Sequence, residues 1–153
     1  MINDLIETWF IHDRINRYLL DAIDESSLAA ISASKGRSVF EQFAHIHNVR
    51  LMWLKVASPE LFASQTKIEK DMDISPPALS ALLMESGNAI AQLLEKAFTE
   101  GKLKGFKPHP SAFLGYLISH ESHHRGQIML SLKQSGHKID QKVAYGIWEW
   151  GSR

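Results

Sequence analysis

A chain of 153 residues, 44% hydrophobic and 22% charged, is the size of one globular domain, here residues 1–153, with enough apolar side chains for a core of its own. Its 17 basic and 17 acidic residues cancel, and no Lys/Arg cluster forms the basic face that nucleic acid or an anionic membrane would require. Without cysteine there is neither a disulfide nor a thiolate ligand, so any metal must sit on His, Asp or Glu. No apolar run reaches membrane-spanning length, and the charged N-terminal stretch lacks a signal-peptide core. The expectation is a soluble, cytoplasmic protein.

Helical periodicity runs through the chain. Ile2, Leu5, Ile6, Trp9, Ile15, Leu19 and Ile23 recur at three- and four-residue steps, which predicts a first helix capped by Asn3 or Asp4 and loosening at SSLAAISASKG. A second helix is predicted from about Gly36 to Ala57, stopping before Pro59. The third opens at ISPPALSALL with Ser75 as cap and prolines in its first turn. Leu79, Leu82, Leu83, Ile90, Leu93, Leu94 and Phe98 follow at helical steps, and Gly101 ends it. The fourth runs from Pro110 to near Gly136. No segment alternates as a strand, so the fold class is all-α with four main helices.

The first two helices are joined by a dozen residues and the last two by fewer than ten, which suits antiparallel neighbours. Between Ala57 and Ser75 the connection is much longer. At roughly 3.3 Å per residue it could reach on the order of 50 Å, whereas a helix of about 22 residues is about 33 Å long. The chain can therefore travel the length of the bundle before the third helix starts. A four-helix bundle in up-down-down-up order, with a long crossover between helices 2 and 3, is allowed; up-down-up-down remains the alternative. In the tail HKIDQKVAYGIWEWGSR, Tyr145, Trp148 and Trp150 are expected to pack on the bundle as a hydrophobic lid.

Three histidines fall within five residues of the fourth helix, in HESHH. At about 100° per residue, Phe113, Leu117, His124 and Ile128 lie within roughly 60° of one another, and His120 about 40° from His124. His120 and His124 thus share the inward stripe one turn apart, a spacing at which two imidazoles can converge on one ion. His123 points about 100° away, toward the surface. A third ring could come from FAHIHNVRLMWL on the second helix, from His45 or His47. His45 shares a face with Val49, Met52, Trp53 and Val56, and His47 shares one with Phe40, Phe43, Leu51 and Leu54. Both faces are apolar, so periodicity does not choose between them. A helix apolar on two sides buries one in the bundle and the other against a second subunit, which points to a homodimer. Three imidazoles with an open fourth position form a catalytic zinc arrangement.

HESHH also satisfies HExxH, in which Glu121 would be the general base of a zinc peptidase. The extended pattern is absent: Gly126 stands one position early and Leu130 occupies the place of the further histidine. Such peptidases also hold substrate along a strand edge, and no strand is predicted. Glu121 remains the candidate catalytic base, with a solvated surface carboxylate as its plainer role.

HESHHRGQI, preceded by FAHIHNVRLMWL and followed by the GHK…YGIWEWG tail, resembles the DinB/YfiT-like superfamily along essentially the whole chain. The strongest part is H-x-x-x-H-R-G-Q at His120, His124, Arg125, Gly126 and Gln127, and a histidine eight residues before a tryptophan matches His45 and Trp53. The resemblance, rather than the helical wheel, selects His45 over His47. It implies an up-down-down-up four-helix bundle, usually a homodimer, and a divalent ion on His45, His120 and His124 with water completing its shell. Relatives with assigned activities include S-transferases using low-molecular-weight thiols and a thiol-dependent isomerase. The implied function is a metal-dependent enzyme in which Zn²⁺ or Ni²⁺ lowers the pKa of a thiol or water to give a nucleophile at neutral pH, acting on a small molecule. The alternative is a non-catalytic binding or stress protein whose ion staples helices two and four.

Overall fold

Four long helices carry the structure, a computed structural model covering residues 1–153: α1 (Ile2–Asp21), α2 (Val39–Ala57), α4 (Pro76–Glu100) and α5 (Pro110–Gln134). Two short helices, α3 (Pro59–Phe62) and α6 (Gln141–Gly146), lie in the crossover and the tail. Local chemistry fixes the boundaries. Ser38 and Glu41 form a reciprocal capping box at the start of α2, so this helix begins at Val39 rather than near Gly36. Ser75 accepts a bond from the Ala78 amide at the start of α4, and Gly101 closes that helix at φ 71°. His109 caps α5 through Nδ1, which accepts from the Ala112 amide at 3.2 Å. At α1 the expected caps do not act. The helix already starts at Ile2, with Met1 in the cap position and Asp4 in its first turn, where an acidic group favours the helix dipole instead.

The pairings set the directions. Gln42 meets Gln127, His45 meets His120 and His124, and Trp53 meets Phe113, so α2 and α5 run antiparallel. Trp9 Nε1–H donates to the Gly87 carbonyl at 2.8 Å, whereas Ile15 and Leu19 cluster with Leu79 and Leu83, so α1 is antiparallel to α4. Trp9 also lies with Phe113 and Leu117, and Leu19 with Ile128 and Leu132, so α1 is parallel to α5. The order is up-down-down-up. The helices α1 and α2 are antiparallel, as the short join suits, and meet through side chains, Arg50 of α2 reaching Asp13 of α1 at 2.8 Å; the closer backbone approaches are those of α1 to α4 and of α2 to α4 and α5.

The crossover returns along α2 and is tied to it. His47 Nε2–H donates to the Thr66 carbonyl at 2.8 Å. Asn48 exchanges two bonds with the Ile68 backbone, at 2.8 and 3.0 Å. Of the two apolar faces of α2, the one bearing His47 is buried, while Met52 and Val56 on the other stay 49% and 42% exposed. In the tail, Ile147 is buried and Trp150 packs on the core. Tyr145 and Trp148, expected to pack with it, are instead 63% and 75% exposed; the buried positions between them are Gly146 and Ile147.

The interior has two apolar clusters with a polar layer between them. One end is built on Ile15, Leu19, Phe43, Ile46, Leu79, Leu83 and Ile128, and the other on Trp9, Leu54, Ile90, Leu94, Phe113 and Leu117. Between them His12, Asp13, Asn16, Arg50, Ser86 and Glu121 are all buried.

Candidate metal centre

Pro110 in the first turn of α5 and the uninterrupted helix after it place His120 and His124 one turn apart. The inward stripe is as the periodicity predicts: Phe113, Leu117, His124 and Ile128 are buried, His120 is half-buried and His123 is exposed. On the facing stretch of antiparallel α2, His45 is half-buried. Its ring centroid lies 4.5 Å from that of His124 and 5.3 Å from that of His120. One nitrogen from each of the three rings falls within 4.8 Å of the others. His47 takes no part. It is fully buried on the other face of α2, where Nδ1 accepts from the Ser86 hydroxyl at 3.0 Å and Nε2–H is bonded to the crossover.

The donor set fits a small divalent ion. Nitrogens each about 2.0–2.1 Å from a tetrahedral ion stand roughly 3.3 Å apart, and the Nε2 atoms of His120 and His124 are 3.2 Å apart. The tautomer is also fixed. His124 Nδ1–H donates to Gln42 Oε1 at 2.6 Å, leaving Nε2 with a free lone pair aimed at the other rings. Gln42 is held in turn by its Nε2, which donates to Gln127 Oε1 at 2.9 Å, so its carbonyl must face the histidine. A carbonyl behind a ligating imidazole both orients the ring and raises its basicity. Sequence reading placed Gln127 in a motif without a role and missed Gln42. The available signal was its position three residues before His45, on the same side of α2.

All three rings stay neutral near pH 7, the state a metal ligand requires. Burial pushes the pKa of His124 down to about 4, and the neighbouring His120, His45, His123 and Arg37 push the same way. Burial likewise lowers His45, helped by Arg37 and His120. It lowers His120 against the pull of Glu121. Arg37 also went unremarked in the sequence. It is exposed just before α2, and its positive charge reaches all three rings.

Glu121 lies beneath the histidines, turned into the core rather than into solvent, and is 1% exposed. Arg50 grips both oxygens, with Nε to Oε1 at 2.7 Å and Nη2 to Oε2 at 2.8 Å. His12 Nε2–H and Asn16 Nδ2–H each donate to Oε2 at 2.8 Å. Arg50 also donates to Asp13 Oδ1 at 2.8 Å, and Arg125 to Asn16 Oδ1 at 2.6 Å. Burial alone would raise the Glu121 pKa, but the charge of Arg50 and the hydrogen bonds from Arg50 and His12 outweigh it and hold the carboxyl well below its usual range. The proton-accepting role expected of Glu121 therefore meets a carboxylate already fully engaged and bonded to none of the three histidines. As it stands, it anchors α5 to α1 and α2.

No curated protein matches the chain. The sequence model of the DinB family matches residues 1–146, a span that includes His45, His120, His124 and the Arg50–Glu121 pair beneath them, and the chain accordingly belongs to the DinB family.

Proposed function

We propose that the chain is a metal-dependent enzyme of the thiol S-transferase type, acting on a small molecule through a divalent ion held by His45, His120 and His124, with Zn²⁺ or Ni²⁺ as the ion. The observation that carries this reading is the convergence of three neutral imidazole nitrogens within 4.8 Å at a place where two of the rings are only half-buried. An ion with three protein ligands keeps a position for an exogenous group, and bound there it would lower the pKa of a thiol or water sharing its shell. The protein's own part is to hold geometry and proton positions. Gln42 fixes His124, Gln127 fixes Gln42, and burial keeps the imidazoles unprotonated.

The competing reading, an ion that merely staples α2 to α5, is weakened by the Arg50–Glu121 pair, which already joins these helices without metal. The peptidase reading is weakened by the same pair, which occupies the carboxylate that would serve as base. A homodimer belongs to the proposal as well, with the exposed Met52 and Val56 of α2 as the apolar strip a second copy would cover; sedimentation at micromolar concentration should then give twice the chain mass.

The decisive experiment is elemental analysis of protein purified without a nickel column. About one ion per chain is expected in the unaltered protein, and its loss in each of His45→Ala, His120→Ala and His124→Ala. Unchanged metal content in all three variants would refute the site. Metal-dependent loss of a low-molecular-weight thiol in the presence of an alkyl electrophile then tests the reaction.

A further inference from the structure

The antiparallel pair α2 and α5 carries an aromatic wall beside the three imidazoles. One turn before His120, the Tyr116 ring lies nearly parallel to the His120 ring, with 6.1 Å between centroids and 15° between planes. Trp53 stands edge-on to Phe106, Phe113 and Tyr116 at 5.7, 5.3 and 5.7 Å, and Phe106 is 5.5 Å from Tyr116. The loop bearing Phe106 is drawn against α2 at Gly105, where an added Cβ would stand 2.6 Å from Val56 Cγ1. These rings are not fully covered. Tyr116 is 36% exposed, and Trp53 and Phe106 are half-buried.

Past His45, toward the start of α2, the surroundings change character. Gln42 and Gln127 lie there, and Arg37, exposed and in no ion pair, precedes the helix. The centre thus has a planar apolar side and a cationic side with the histidines between them.

We propose that the molecule received here is a small anion bearing an aromatic ring. Its anionic head shares the ion held by His45, His120 and His124, with Arg37 as counter-charge, and its ring lies against Tyr116 and Phe106. The inference rests on the metal-site reading and specifies its substrate class. An edge-to-face or offset ring contact, with the area it covers, corresponds to roughly tenfold in affinity.

Cobalt-loaded protein titrated with benzohydroxamate and with acetohydroxamate, followed by visible absorption, separates the two ideas, because these probes share a metal-binding head and differ only by phenyl for methyl. Benzohydroxamate should bind about tenfold more tightly. Tyr116→Ala should remove most of that preference while sparing acetohydroxamate, Tyr116→Phe should keep it, and Arg37→Gln should weaken both probes alike. Equal affinities in the unaltered protein overturn the proposal, and that comparison stands even if a variant fails to fold. A preference that survives Tyr116→Ala, or an Arg37→Gln variant without effect, overturns it too. If Tyr116→Ala instead dissociates a dimer while the probes tie, the wall is covered by a second copy and the proposal falls. Cobalt uptake is scored before any probe is added, so failure of the metal site itself is seen separately.

Discussion

Arg50 holds a full charge at 0% exposure, which is tolerable only because two carboxylates meet it. Removing it leaves Asp13 and Glu121 buried without their common cation, the situation in which a broken buried pair costs the most. Arg50→Met should therefore lower the unfolding free energy by about 3–5 kcal/mol in urea titrations. Arg50→Lys, which keeps the charge but cannot grip both Glu121 oxygens, should fall between the two proteins. A loss below about 1 kcal/mol for Arg50→Met would show that the bonds in this layer contribute little. A solvated surface carboxylate is the plainer expectation for Glu121, since an acidic residue in a helix usually is one. Its partner stands 71 residues away on another helix, and no pattern within either helix reveals the match. The same blindness hid Gln42, whose role exists only because His124 lies opposite it. His120 and His124 were legible because their geometry is local to a single helix turn.

At the scale of elements, what was legible followed from chain length and end signals. Proline and serine marked the start of α4, glycine its end, and the long connection allowed two parallel helices in succession. The choice between the faces of α2 was not legible, because both are apolar and burial is decided by neighbours. The crossover supplies part of that decision, lying over the His47 side and bonding His47 and Asn48 to Thr66 and Ile68. These bonds give a prediction for the segment. Asn48→Ala removes both contacts with Ile68 and leaves a half-buried backbone amide and carbonyl unpaired, costing about 1–3 kcal/mol. The loss should be local before it is global. Amide exchange at Ile68 should accelerate well ahead of that at core residues of α4 such as Ile90. Uniform acceleration across the chain would mean that the crossover and the bundle open as one unit.

For the molecule as a whole, the histidines make stability a function of pH with a defined sign. Burial lowers the pKa of His12, His45, His47, His120 and His124 below the ordinary value of 6.5. A histidine depressed in the folded state binds fewer protons there than in the unfolded chain, so folding is favoured above the unfolded pKa and disfavoured progressively below it. With His124 down at about 4, the window runs from about pH 6.5 to about pH 4. Glu121, also held below its usual range, acts with the same sign in a lower window, because its contribution is lost only as the pH falls below that of an ordinary carboxyl group. The melting temperature of protein stripped of metal should therefore drop on acidification from pH 7, starting well before carboxylates titrate. Adding Zn²⁺ should hold the melting temperature up to a lower pH, since an ion on three imidazoles stabilises the folded state in proportion to its binding and keeps their protons off. Against a His45→Ala background that protection should vanish, while the acid slope from His12 and His47 persists. A melting temperature flat between pH 7 and pH 5 in the stripped protein would contradict the buried neutral histidines. Zn²⁺ protection that survives His45→Ala would place the ion elsewhere.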